Sequence, residues 1–227
     1  MQTVVENGVF RIPLYHGTCS AFYESIETLG LGGLNPIPKL GVISFLRELM
    51  VQADEALGED PDWVSGRFLV QWMVDQESFS GGGNFQHGDT YLTPSRASAV
   101  GYALQNRFGS ELITQAHRVY CLLVERQPRA LQNLALNRPL VSLFATRPEP
   151  LIVTAFNVAV TDVVAEGGGP PDGTIESLQE YWNLFEKLEK DPAEEVLNKN
   201  FRLRSPLAPG SFSIEFVEEG ERNPYDW

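Results

Sequence analysis

Three side chains in this sequence have the type and setting for chemistry. His16 follows the apolar pair Leu14-Tyr15 and precedes Gly17-Thr18. Tyr91 stands in the brief run Thr90-Tyr91-Leu92-Thr93, and Glu149 stands between Pro148 and Pro150 and opens the apolar run 151–153. An aromatic face attracts a cation, and a fixed carboxylate stabilises positive charge that develops in a transition state. Taken singly, each also has a plain reading: an ordinary strand exit, an edge aromatic, a solvated loop acid. Other chemistries find less footing. His16, Cys19 and Cys121 lack the paired spacing of a zinc site. His87 and His117 have no partner motif and read as surface residues. No G-x-S-x-G elbow is present, so a hydrolase triad is unsupported. Gly30-Leu31-Gly32-Gly33 does not follow a strand and open a helix, so it reads as a loop and not as a dinucleotide fingerprint.

The elements that must hold these residues can be read from periodicity and punctuation. Residues 11–16 form a short strand that Gly17-Thr18 ends. Residues 21–29 read as a helix with Phe22, Ile26 and Leu29 on one face, and 30–38, rich in Gly and Pro, as a loop. Helices are expected over 44–57 and from 61 to about 74, the second opened by Asp60 as N-cap and Pro61 as first helical residue. Residues 80–87 read as a flexible loop, 90–93 as a short strand, and 95–106 as a helix with Ala99, Tyr102 and Ala103 on one face. A buried strand is expected over 118–125, with further strands over 140–145, 151–156 and 158–165. The Gly-Pro stretch 167–173 is the clearest break in the chain. After it, Ile175, Leu178, Trp182, Phe185 and Leu188 recur at helical spacing over 174–190, a packing stripe. Asp191-Pro192 starts another short helix, and 211–217 alternates like an edge strand. The sum is an α+β chain with short strands, and 174–227 looks like an appended helical extension.

Composition narrows the function classes. The chain of 227 residues suits one sizeable domain, and 43% hydrophobic content can fill its core. A formal net charge of -13, from 30 acidic and 17 basic residues, opposes long contact with the phosphate backbone of duplex nucleic acid. Two distant cysteines give no disulfide framework, and a reducing compartment is the default. No apolar run approaches the ~20 residues that span a bilayer, and residues 1–10 lack a signal-peptide pattern. These features point to a cytoplasmic protein, or one secreted without a cleaved signal, and to no membrane partner.

Three segments, in order, resemble the ADP-ribosyltransferases, in the branch that includes the poly(ADP-ribose) polymerases and diphtheria toxin. Leu14-Tyr15-His16-Gly17-Thr18 is similar to that family's first-strand motif. Thr90-Tyr91-Leu92-Thr93, then Ser95 and Ser98-Ala99-Val100-Gly101-Tyr102-Ala103, is similar to the second. Arg147-Pro148-Glu149-Pro150-Leu151-Ile152-Val153 is similar to the third. The resemblance covers about 9–166. It implies a split mixed β-sheet core over 1–166 with a helical insertion at about 41–80, and places 167–227 outside as a helix-rich C-terminal extension. It implies NAD⁺ as substrate, with no metal. His16 would contact the adenosine ribose, and Gly17, with Thr18 beside it, the carboxamide. Tyr91 and Tyr102 would clamp the nicotinamide ring. Ser98, or Ser95 in its place, would bind the carboxamide oxygen. Glu149 would hold the nicotinamide-side ribose and stabilise its positive charge. His16, Tyr91 and Glu149 are thus the expected catalytic set. The implied activity is mono-ADP-ribosyl transfer to a protein or small-molecule acceptor with release of nicotinamide, in a toxin, effector or regulator. An NAD glycohydrolase, an RNA 2′-phosphotransferase and an inactive ADP-ribose- or partner-binding module are the alternatives. Two departures stand out. The interval from His16 to Tyr91 is long for the polymerases. Arg147 occupies the place where arginine-directed relatives carry an acid or amide, so arginine is not the expected acceptor.

Overall fold

The structure, a computed structural model, describes residues 2–75, 88–134, 138–218 and 221. Along the chain come β1 (Val5–Glu6), β2 (Val9–Phe10), β3 (Leu14–Cys19), α1 (Tyr23–Leu29), α2 (Pro36–Leu40), α3 (Val42–Leu57) and α4 (Pro61–Val74). There follow β4 (Tyr91–Leu92), α5 (Arg96–Gln105), α6 (Glu111–Arg126), α7 (Pro139–Phe144), β5 (Pro150–Ala155), β6 (Val163–Ala165), α8 (Asp172–Lys187), β7 (Phe201–Leu203) and β8 (Phe212–Phe216). The fold is mixed α and β with several small antiparallel sheets. No helix among the described residues is long and apolar enough to cross a membrane.

The chain divides into two compact units, one of Met1–Leu34, Asp89–Gly109 and Pro148–Trp227, the other of Asn35–Gly88 and Ser110–Arg147. The first unit holds all the strands of the described residues. They pair as β1-β2, as β3-β5-β8 and as β4-β7-β6, with β5 and β7 as the middle strands. The β1-β2 hairpin turns on Asn7-Gly8, both at positive φ (52° and 75°), which is the backbone a two-residue hairpin loop needs. One face of β3 and β5 joins Leu14, Val153 and Ala155 to Ile26, Leu92, Leu178, Trp182 and Phe201 in the larger apolar core. The other face carries Tyr15 and Ile152 against Ala99, Val100 and Ala103 of α5.

The second unit is helical. Its α3 buries Phe45, Leu46, Leu49 and Ala53, spaced to share one face. Asp60 caps α4 by accepting from the backbone N–H of Asp62 (3.0 Å), as its Asp-Pro start implies. In α6, Leu112, Ala116, Val119 and Leu123 are buried at helical spacing.

Several expectations from sequence are corrected here. The strand expected over 118–125 is the C-terminal half of α6. A short apolar run rich in Val and Tyr reads alike as strand or buried helix, and only the longer window from Leu112 shows the 3.6-residue period. The strand expected over 140–145 is α7, where Pro139 sits in the first helical turn and Leu140 and Phe144 are buried together. Of 158–165 only β6 is strand, after a 3-10 turn over Val160–Asp162. Gly17-Thr18 do not end β3, which runs on to Cys19. The helix α2 begins inside the loop expected over 30–38. The segment 167–227 is not an appended extension: β7 is the centre of one sheet and β8 the edge of another. The insertion expected at about 41–80 belongs to a unit that also takes in residues 110–147. The loop expected over 80–87, with His87, lies outside the described residues.

One contact fixes α5 on the sheet. A Cβ built on Gly17 would stand 2.1 Å from the Ala99 carbonyl oxygen and 3.1 Å from the Ala103 nitrogen. Both are main-chain atoms, so a side chain at position 17 would force the helix outward. Gly17→Ala is therefore expected to lower unfolding free energy by about 3 kcal/mol, at the upper end for overpacking. Urea denaturation measures this, and an unchanged midpoint would show that α5 does not press on Gly17.

Candidate functional site

All the candidate residues lie in the first unit, and β3 organises them. Its full length pairs antiparallel with β5, from Leu14↔Ala155 to Cys19↔Pro150. On its other edge only Tyr15 is paired. The Tyr15 N–H donates to the Thr93 carbonyl (2.7 Å), and the Thr93 N–H donates to the Tyr15 carbonyl (2.8 Å). Beyond that bridge β3 and β4 form no further backbone pair among the described residues, while the far edge of β4 pairs with β7, Tyr91 opposite Arg202.

Backbone alternation then determines what faces the opening. Successive residues of an antiparallel strand present their N–H and C=O to opposite edges. Since Tyr15 spends its pair on Thr93, His16 turns its own toward β5, and Gly17 presents a donor and an acceptor to the edge where β4 makes no further pair. Neither has a hydrogen-bond partner among the described residues. An N–H and a C=O side by side are the complement of a carboxamide.

His16 spans the same opening. Its Nδ1 lies 2.8 Å from the Tyr91 carbonyl oxygen. A carbonyl only accepts, so Nδ1 carries the proton, and in the neutral ring Nε2 keeps its lone pair. Burial pushes the imidazole below its ordinary 6.5, with the Tyr91 hydrogen bond acting weakly in the other direction. At neutral pH the ring is uncharged, with its tautomer set and Nε2, which has no partner among the described residues, able to accept from a hydroxyl.

Glu149 enters from β5. Past Cys19↔Pro150 the pairing goes on as a clasp: the Ser20 N–H donates to the Glu149 carbonyl (2.8 Å), and the Glu149 N–H donates to Ser20 Oγ (2.9 Å). His16 pairs with Val153 and Thr18 with Leu151, so by two-residue alternation His16, Thr18 and Glu149 point to one face of the sheet. Four residue steps lead from His16 to Ser20, roughly 13 Å at about 3.3 Å each. The imidazole and the carboxylate therefore cannot share one atom of a ligand, but a ligand of dinucleotide length reaches both. The Glu149 side chain is exposed, and its carboxylate has no hydrogen-bond or ion-pair partner among the described residues. The two other glutamates in strand-like surroundings by sequence fall away: Glu125 is on α6 in the second unit, and Glu215 is held by Arg96 at 3.0 Å.

The remaining expected residues divide. Tyr91 and Tyr102 are both half-buried, one on β4 and one on α5. Thr18 is buried, and a Cβ at Gly109 would come within 2.6 Å of its hydroxyl, so it packs under the opening and does not line it. Ser95 and Ser98 are spent elsewhere. Ser95 Oγ caps α5 by accepting from the Ser98 N–H (2.9 Å) and donates to the Glu195 carbonyl (2.6 Å). Ser98 Oγ donates to the Leu197 carbonyl (3.3 Å) and accepts from the Leu197 N–H (3.1 Å). The carboxamide role expected of either serine is thus revised: both hydroxyls clamp the 195–197 backbone onto α5. Cys19, next to the site, is buried, and burial pushes its thiol up to about 11. It stays protonated at neutral pH and is no nucleophile. Sequence reasoning missed Ser20 and Thr93. The signal for Ser20 was in Pro148-Glu149-Pro150, a stretch with one N–H that needs an acceptor. Among the described residues no group of three metal-ligating side chains gathers.

Comparison of the chain with protein-family models, curated proteins and solved structures gives no match.

The His16 geometry is open to direct measurement. Nitrogen-detected NMR is expected to show the Nδ1–H tautomer at pH 7.5 and a titration midpoint below 6.5. Because the folded value is depressed, His16 leaves stability untouched above about pH 6.5 and weakens the fold as pH falls below it. A midpoint above 6.5, or an Nε2–H ring, would contradict the hydrogen bond to Tyr91.

Proposed function

We propose that the first unit is an NAD⁺-dependent mono-ADP-ribosyltransferase, with an ADP-ribosyltransferase-like split sheet. The observation that carries this reading is the open N–H and C=O of Gly17 beyond the Tyr15 bridge to β4, beside a tautomer-fixed His16 and on the strand whose far end clasps Glu149. The three sequence motifs meet on this strand. Their resemblance to one family and their placement are separate supports.

The fit to NAD⁺ can be argued from groups on the page. Gly17 offers a donor and an acceptor suited to the nicotinamide carboxamide. His16 offers Nε2 to a ribose hydroxyl, some 13 Å along the strand from Glu149. Tyr91 and Tyr102 supply aromatic faces for a cationic ring. Bound NAD⁺ supplies a glycosidic bond whose cleavage releases nicotinamide with the bonding electrons and leaves positive charge on the ribose. Glu149, whose carboxylate has no partner among the described residues, stands at the Ser20 end of β3, where it stabilises positive charge and accepts from ribose hydroxyls. Nothing here calls for a nucleophile from the protein, in keeping with a protonated Cys19. The net charge of -13 favours a protein or small-molecule acceptor over duplex nucleic acid.

Labelled NAD⁺ tests the reading. Label is expected on a protein or small acceptor, with nicotinamide released. Free ADP-ribose alone would point to a glycohydrolase, and no turnover to a binding module. Glu149→Gln is expected to lower turnover about 10²-fold, the scale for loss of one preorganised electrostatic partner, with NAD⁺ affinity changed far less. Normal turnover in Glu149→Gln with loss in Glu125→Gln would overturn the assignment.

A further inference from the structure

We infer that Ser20 is the positioning residue for Glu149, holding its backbone at the end of β3 so that the carboxylate stands where the reaction needs it. This rests on the reading of Glu149 given above. The argument starts from the two prolines. Pro148 and Pro150 have no N–H, so the Glu149 amide is the single donor of the three residues, and its partner is Ser20 Oγ at 2.9 Å. The Glu149 carbonyl accepts from the Ser20 N–H at 2.8 Å. One residue therefore takes both main-chain groups of the glutamate, across a separation of 129 residues in the chain.

The rest of the segment is stiff but needs this tie. A residue before proline is confined to extended backbone, which applies to Arg147 and to Glu149. Pro150 is fixed by its place opposite Cys19 and by the Val217 N–H on its carbonyl (3.0 Å). The Glu149 carboxylate, by contrast, has no partner among the described residues. What the fold fixes is the point from which that side chain leaves the backbone, and Ser20 supplies both hydrogen bonds to it. Displacement by about 1 Å can cost as much as 10²-fold in rate where geometry matters. Supporting residues of this kind typically contribute less than the group they hold.

The test is steady-state NAD⁺ turnover in the full chain, for Ser20→Ala, Ser20→Thr, Glu149→Gln and the Ser20→Ala/Glu149→Gln double variant. Ser20→Ala is expected to lower kcat about tenfold with KM for NAD⁺ within about twofold. Ser20→Thr, which keeps the hydroxyl and the amide, restores most of kcat. The double variant falls no further than Glu149→Gln, because the clasp acts only through the carboxylate. Should Ser20→Ala fail to fold, Ser20→Cys keeps the size with a poorer acceptor and is expected to lose kcat in the same direction. Wild-type kcat in Ser20→Ala alongside a dead Glu149→Gln would overturn the role of Ser20 and leave Glu149 standing. A loss carried by KM, a failure of Ser20→Thr to rescue, or an additive double variant would likewise overturn it. Absence of NAD⁺ turnover in the wild type, or full turnover in Glu149→Gln, would remove the functional reading itself and the Ser20 inference with it.

Discussion

Much of the first unit's geometry follows from the contact of α5 with Gly17. The Ala99 carbonyl occupies the space a side chain would take on β3, so the helix lies closer to the sheet than an alanine there would permit. That approach seats Ala99, Val100 and Ala103 on Tyr15 and Ile152. It leaves the Ser95 cap and the Ser98 hydroxyl facing the 195–197 backbone, which they clamp. Gly17 keeps its N–H and C=O in the sheet plane, where the helix cannot reach them. The same residue thus serves packing with its missing side chain and, in the proposed function, recognition with its backbone, and a substitution there tests both at once.

The chemistry available around β3 is electrostatic and geometric. Cys19 is too high in pKa to ionise near neutrality. His16 has given Nδ1 to Tyr91 and is held neutral by burial. What remains is an amide edge, an imidazole acceptor, two half-buried tyrosines and a carboxylate without a partner among the described residues. Such a set suits the proposed cleavage of a bond that leaves positive charge behind, where the protein's part is to hold the two ends of a long ligand and place one negative charge. It suits nucleophilic catalysis poorly, since that requires an activated side chain at the centre.

The parts of this arrangement visible in the sequence were those set locally. Asp60-Pro61 announced a helix start through its capping oxygen, and the apolar run after Glu149 announced β5. Asn7-Gly8 carried an equally local hairpin signal that the sequence reading passed over. Misreadings came where local pattern was silent or shared. Val119 to Val124 fits a strand or a buried helix over so few residues, and Leu112 and Ala116 were needed to decide. Strand β8 was legible in the alternation of 211–217, but β7 exists because Arg202 finds its partner far away in the chain, at Tyr91, which no local window contains. Ser95 and Ser98 were matched by type to a ligand role. Their hydroxyls are used by Glu195 and Leu197, and long-range backbone partners of that kind are invisible to motif comparison.

In the proposed function the backbone edge of Gly17 receives a carboxamide, and the Gly17 amide itself reports this most directly. In a ¹H–¹⁵N NMR titration with nicotinamide, and then with NAD⁺, the account predicts a saturable shift of the Gly17 N–H, shared by the His16 ring and the Tyr91 amide. Shifts confined to the helical residues 110–126, or a Gly17 amide that stays fixed while NAD⁺ binds, would contradict it.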